Sequence, residues 1–192
     1  QQNLSTQTRE VVRGLRQGLD EQGAASRPLL LALDGSFCNQ TFFKTCWDRV
    51  HLLARCRKDA RLCFPAAAGL RRKYATEIFT PEQVRQAPGR RWRRVRIYFG
   101  GAWRRVKYKQ VQGVLWKRGA GRRPLRLIVL APTPYRTSSH ARRAYRQPAY
   151  LLSTDRTSSV RLLIQTYFDR WQIEVNHRDE KSLLGVGQAQ VR

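Results

Sequence analysis

The apolar positions along the chain follow two periods. Leu29-Leu-Leu-Ala-Leu33 is a short unbroken apolar run bounded by the loop Gly23 to Pro28 and by Asp34-Gly-Ser, and it predicts a strand buried on both faces. His51 to Cys56 predicts a second strand. Arg94-Val-Arg-Ile-Tyr-Phe99 alternates instead, and Gly100-Gly101 before Ala102 to Gln110 is a hairpin signal; Val111 to Lys117, Leu125 to Leu130 and the run from Tyr150 read as further strands. Helical spacing takes over elsewhere. Val12, Leu15 and Leu19 form the expected buried edge of a helix capped by Ser5 or Thr6 and running to about Glu21, weakened by Gly14 and Gly18. Residues 39 to 49 read as a short helix with Phe42, Phe43, Cys46 and Trp47 on its core side. Thr80-Pro-Glu-Gln83 is a capping-box start with proline at the first helical position.

The last helix, from near Ser158 to about Leu184 and stopped by Gly185 and Gly187, carries more than one polar face. At 100° per residue Tyr167, Arg170, Glu174 and Lys181 fall within about 60° of each other. Trp171 and Arg178 border that stripe. Asp169, Asn176, Asp179 and Glu180 lie opposite, with narrow apolar seams between: Phe168 and Val175 on one side, Leu162, Ile173 and Leu184 on the other. A surface helix needs one polar face, so burying both seams turns one of these faces inward. The plain alternative is a solvated helix with ion pairs such as Arg170 to Glu174 at i, i+4.

Charge narrows the partners. The 192 residues hold 38 Lys plus Arg against 13 Asp plus Glu, a net charge of +25, which suits a polyanion. With 27% charged and 41% hydrophobic residues the chain is expected to fold rather than remain a basic tail. From Gln83 through Thr154 there is no acidic residue against 19 Lys plus Arg, so part of this stretch is expected to meet phosphates, with steep salt dependence. Arg94, Arg96, Arg104, Arg105 and Lys107 are candidate DNA contacts. Trp92, Tyr98, Trp103 and Tyr108, interleaved with them, either stack on an unpaired base or serve as packing. Tyr135 to Arg146 reads as a mobile basic loop.

Other classes recede. Cys38, Cys56, Cys46 and Cys63 have no C-x-x-C or histidine spacing, so reduced thiols are expected and zinc is not. No apolar run approaches the roughly 18 residues of a membrane span, and no signal-like segment opens the chain. A chain without methionine that starts at Gln1 is expected to be N-terminally truncated.

Two acids end strands. Asp34 stands at the C-terminal end of a buried strand, where open α/β sheets place ligands, although a turn-opening Asp before Gly35 is the plain alternative. Asp155, among Ser153, Thr154 and Thr157, reads as the cap region of the long helix; the competing assignment groups Asp34, Asp155 and Glu174 as a triad.

The spacing Y-(2)-R-(3)-E-(6)-K at Tyr167, Arg170, Glu174 and Lys181, with Trp171 directly after the arginine, resembles the signature of the bacterial DDE transposases of insertion-sequence family four. Asp34-Gly-Ser-Phe-x-Asn39, with a following strand that ends in Arg55-x-Arg-Lys-Asp59, is similar to that family's second-aspartate region, and Leu183 through Arg192 resembles one of its branches. The resemblance covers residues 29 to 62 and 149 to 192, and the middle only as a basic β insertion.

It implies an α/β fold: a partial RNase H-like core over 1–64 and 149–192, and a β-rich basic insertion over 65–148, between the second Asp and the catalytic Glu. The first aspartate would lie upstream of Gln1, which could leave this stretch inert by itself. Asp34 and Glu174 would be the catalytic acids and the ligands of Mg²⁺ or Mn²⁺, two ions in all, since such hard cations favour oxygen donors. Tyr167, Arg170 and Lys181, with Trp171 and Arg178, would hold DNA near a flipped base. The implied activity is phosphodiester hydrolysis and strand transfer at insertion-sequence ends through a hairpin intermediate. Its implied setting is a homodimer on paired double-stranded DNA ends in the bacterial cytoplasm, at the nucleoid. The alternatives are a catalytically inert DNA-binding remnant and a basic structural RNA-binding protein.

Overall fold

The computed structural model describes residues 3–135, 142 and 144–170. Helix α1 spans Leu4–Leu19, and a π-turn follows over Asp20–Ala24. The cap is Asn3, whose side chain accepts from the Ser5 amide at 3.1 Å, rather than Ser5 or Thr6. Its buried line is Val12 and Arg16, while Leu15 is 49% exposed. Arg16 takes the inward place because its guanidinium donates to the Arg27 and Ala24 carbonyls and to Asp20, so its charge is paired where it is buried.

Strand β1 is Leu29–Leu33, α2 is Gln40–Phe43 and β2 is Val50–Arg55. The helix expected over 39 to 49 thus closes after one turn. There the Trp47 indole donates to the Phe42 carbonyl at 2.9 Å, and Arg49 takes a φ of 50° that no helix continues. Strands β3 (Leu62–Pro65) and β4 (Tyr74–Phe79) follow, then α3 (Pro81–Gln86) behind the Thr80–Gln83 capping box. Neither β3 nor β4 was expected as a particular strand, although β4 lies in the stretch expected to be β-rich and its Tyr-Ala-Thr-Glu-Ile-Phe is β-branched and aromatic in composition.

Strand β5 is Arg93–Phe99, and β6 is one strand of 14 residues, Ala102–Leu115, rather than the two expected. It changes partner midway: up to Tyr108 it pairs with β5, and from Tyr108 to Leu115 with β7, Pro124–Leu130. Gly113, at φ 72°, sits in the register shift between Gln112 and Val114, a bulge position that a side chain would strain. Gly100 and Gly101, both at positive φ, make the tight turn of the β5–β6 hairpin. Strands β8 (Pro134–Tyr135) and β9 (Ala144–Tyr145) form a small separate ladder, and β10 is Ala149–Ser153. The remainder of the basic loop expected there, 136–141 and 143, lies outside the described residues.

The main sheet has eight strands in the order β1-β2-β10-β7-β6-β3-β4, with β5 on β6. Among the described strands only β1 and β2 are parallel and every other pair is antiparallel, so the fold is mixed α/β with a mostly antiparallel sheet. The boundaries expected at 64/65 and 148/149 both fall within this one sheet, because β10 pairs with β2 on one side and β7 on the other. Helices α1, α2 and α3 cover one face through Val12, Phe42, Phe43 and Val84 over Leu52, Ala54 and Leu127. The other face is covered by α4, helical over residues 160–170, through Leu163, Ile164, Tyr167 and Phe168 on Leu53, Ile128 and Leu151.

Two burial expectations change. Strand β1 is half-buried throughout, because it is an edge strand paired only with β2 among the described strands. On α4 the inward line is not the expected seam at Leu162, which is 49% exposed, but the one led by Leu163. Among the described residues no helix is long and apolar enough to cross a membrane.

Candidate functional site

The parallel pair brings Asp34 to one end of the sheet. Leu33 is in register with Ala54, so Asp34 leaves β1 beside Arg55, the last residue of β2. Antiparallel pairing sets Ala149 of β10 and Leu130 of β7 at the same end. Helix α4 starts at the opposite end, where the Ser159 hydroxyl accepts from the Leu162 amide at 3.1 Å, and crosses its face of the sheet. Its last described turn carries Tyr167 and Arg170. The Arg170 guanidinium, only 13% exposed, lies 3.9 Å from the Asp34 carboxylate, which is 61% exposed.

Two cavities open at this end and share Arg55 and Gln147. One, of about 500 Å³, is lined by Arg55, Leu130, Tyr145, Arg146, Tyr167 and Phe168. Tyr167 is itself 95% buried, with its ring edge-on to Phe168 at 5.5 Å, so it reaches that cavity as part of the wall. The other, of about 690 Å³, is lined among others by Gly35, Arg55, Lys58, Glu82, Arg85 and Tyr150. Its acid is already engaged: Arg85 forks onto Glu82, and the Tyr150 hydroxyl donates to the same carboxylate. The Arg85 contact holds the Glu82 carboxyl down at about 2, while burial and then Glu82 push the Tyr150 phenol up to about 12. Arg55 and Lys58 also line the cleft, and their charges make it receptive to an anion.

Asp155 belongs elsewhere. Thr154 pairs with Leu52, which places Asp155 near the start of β2, roughly 13 Å along the strand from Arg55 at about 3.3 Å per residue. It is 2% exposed, and its Oδ1 accepts from the Thr157 and Ser158 amides at 2.9 Å. Burial opposes its charge, but the Ser158 and Thr157 hydrogen bonds outweigh it and lower its pKa. The buried Arg126 closes the same turn by donating to the Ser158 and Arg156 carbonyls at 2.6 and 2.7 Å. Asp155 therefore caps the turn into α4, and it cannot share an ion with Asp34 across that distance.

The metal reading needs two carboxylates at one place. Asp34 supplies one hard oxygen donor on an open rim. Glu174, with Trp171, Arg178 and Lys181, lies outside the described residues. Among the described residues no group of three His, Cys, Asp or Glu is arranged to hold a metal ion. Cys38, Cys56 and Cys63 line a third cavity, where burial raises all three thiols and pushes Cys38 up to about 12, so they stay protonated.

The basic stretch is divided by the hairpin register. Arg94 faces Lys107, Arg96 faces Arg105 and Tyr98 faces Trp103, so these six share one face and all are exposed. The alternate positions, Val95, Ile97, Phe99 and Val106, turn into the α4 core. Arg104 goes with them: its guanidinium lies 5.3 Å over the Phe99 ring and its Nε donates to the Phe99 carbonyl at 3.3 Å. Trp92 and Tyr108 are half-buried packing residues. Lys109 is spent on structure as well, 4% exposed and donating to the Arg85 and Ala87 carbonyls at the end of α3, with its pKa lowered by burial. Sequence reasoning had missed Gln165, whose amide accepts from Tyr98 N–H at 2.8 Å and donates to Tyr98 O at 2.7 Å, closing the free edge of β5 onto α4. It also missed the Glu82–Tyr150 pair, whose partners are too far apart in the chain to signal each other.

Comparison with protein-family models, with curated proteins and with solved structures yields no match.

Proposed function

We propose that the chain is the second-aspartate and glutamate portion of a DDE-type DNA transposase with an RNase H-like core, acting by metal-dependent phosphodiester hydrolysis and strand transfer. The observation that supports this is the approach of Arg170 to Asp34 at 3.9 Å, beside the ends of the parallel strand pair β1–β2. Glu174 follows Arg170 by four residues in the sequence, the spacing of about one helical turn. The anion-receptive cleft at Gly35 and Arg55 adjoins the same carboxylate.

In this reading Asp34 and Glu174 hold Mg²⁺ or Mn²⁺, which supplies an activated water or 3′-hydroxyl and stabilises the leaving oxygen. The chain's own side chains do the rest. Arg170 keeps a phosphate oxygen near Asp34 and offsets its charge, while Arg55 and Lys58 guide the strand into the cleft. Tyr167 and Phe168 wall an apolar recess beside the reacting phosphate, suited to a base leaving its stack. DNA ends are the substrate, a second copy is the partner across paired ends, and the bacterial cytoplasm is the compartment.

A non-enzymatic nucleic-acid binder is the second reading, favoured by the acid-free hairpin face alone. The two separate on metal. Asp34→Asn and Glu174→Gln each abolish DNA-end cleavage in Mg²⁺ or Mn²⁺ while binding of the same end without metal survives. Cleavage that persists in either variant overturns the transposase reading.

A further inference from the structure

We infer that the outer face of the β5–β6 hairpin is a second nucleic-acid contact, specific for an unpaired strand, in which a base stacks on Trp103 and the flanking guanidiniums hold the phosphates. The inference rests on the nucleic-acid reading above but names a site that the catalytic end does not include.

Three observations carry it. First, the face is chemically uniform: Arg94, Arg96, Tyr98, Trp103, Arg105 and Lys107 are all exposed and no acid stands among them. Successive residues on a face are about 6.6 Å apart along a strand, so cations flank the rings at regular intervals. Secondly, the rings are held rather than loose. Trp103 is 49% exposed and Tyr98 41%, their rings edge-on at 5.5 Å. Arg96 and Arg161 lie 5.2 and 5.4 Å from the indole centroid, so both hairpin and α4 position it. Gln165 ties the Tyr98 backbone to α4 from the edge, and Phe168 stacks on Phe99 at 4.6 Å beneath.

Thirdly, the hairpin is placed to receive a strand from the Asp34 end. Tyr108 pairs with Leu130, the last residue of β7, so Ala102 to Lys107 project past the sheet at the end where Asp34 lies. The strands between run β1-β2-β10-β7-β6, four spacings of about 4.8 Å, or roughly 19 Å across. A duplex hides its base faces and meets such a surface through phosphates only. An unpaired base offers a π-face to Trp103, and stacking of this kind tolerates any base.

The test compares a 2-aminopurine-labelled oligothymidylate with a duplex of equal length, titrated with the 192-residue chain at one fixed salt concentration. Trp103→Ala is expected to weaken single-strand affinity about 5- to 150-fold and to remove the 2-aminopurine quench, with duplex affinity changed less than about twofold. Trp103→Phe, which keeps a ring, retains most of the affinity. An unchanged single-strand affinity in Trp103→Ala, or an equal loss on both substrates, overturns this site alone, because the substitution leaves Asp34, Arg170 and Glu174 in place. A wild-type chain that binds neither DNA overturns both this site and the transposase reading.

Discussion

The guanidinium of Arg170 and the carboxylate of Asp34 lie 3.9 Å apart, although one sits near the end of the described chain and the other just after its first strand. The contact forms because β10 inserts between β2 and β7 and hands the chain to a helix that crosses back over Leu53 and Leu151. A half-exposed ion pair at this distance contributes little to stability, so its consequence is positional.

Arg170→Ala is accordingly expected to slow the second chemical step, hairpin formation, more than the first nick. Single-turnover gels resolving nicked and hairpin products check this, and equal loss at both steps would count against a role for Arg170 around a displaced base.

Asp155→Ala should behave in the opposite way. Removing a buried cap that accepts two backbone amides costs about 1–2 kcal/mol of stability, read as a lower denaturation midpoint. Metal dependence of DNA cleavage per folded molecule should be untouched. A stable Asp155→Ala variant with lost metal dependence would restore the triad that the register separates.

Acid should loosen the join between α3 and β10. Glu82 is held at about 2 by Arg85 and then Tyr150, below the usual carboxylate range. Its contribution is therefore complete above about pH 4.5 and disappears as pH falls toward 2. Tyr150, raised to about 12, contributes below pH 10 and loses its part as pH climbs through 12. In Glu82→Gln the acid-side fall in stability between pH 4.5 and 2 should shrink by about 1–3 kcal/mol, a range that allows for partial screening. An unchanged acid limb in urea titrations would show that the pair carries no weight.

Gln165→Leu should free one strand edge without emptying the core, since Gln165 is half-exposed and its amide binds the Tyr98 backbone and the exposed Asp169 carboxylate rather than core groups. Amide exchange at Tyr98 is expected to speed up while that of Ile128 and Leu151 stays slow. Protection retained at Tyr98 would mean that Phe99 on Phe168 is enough to hold the hairpin.

Removing one exposed cation of the outer face should change the salt dependence of duplex binding. Arg105→Gln is expected to lower the log–log salt slope by about 0.9, whereas Arg104→Gln, whose guanidinium lies on Phe99, should change it less. Equal slopes in the two variants would show that the division by register does not matter to DNA.

Local patterns already contained the parts whose signal is local. The apolar run Leu29–Leu33, the capping box at Thr80 and the Gly100-Gly101 turn each declare themselves within a few residues, because strand burial, helix capping and positive φ are short-range demands. Asp34 stood out for the same reason, as an acid at a strand end. Partner choice did not. That β6 is one strand serving three neighbours, that β1 stays half-buried at an edge, and that Arg16, Lys109 and Arg126 are buried cations closing carbonyls all depend on which distant segment arrives alongside.

The amino-acid sequence alone thus determined the charge, the element types and which residues could serve as acids or stacking rings, since these are properties of residue identity and spacing. Only the tertiary structure decided which of them meet. Strand register put four cations and two aromatic rings on one hairpin face and turned Arg104 away, and it set Asp155 at the far end of β2 while α4 brought Arg170 to Asp34. The reason is that a one-residue change of register sends every side chain to the other face, and register is fixed by burial of the whole sheet rather than by any single stretch of it.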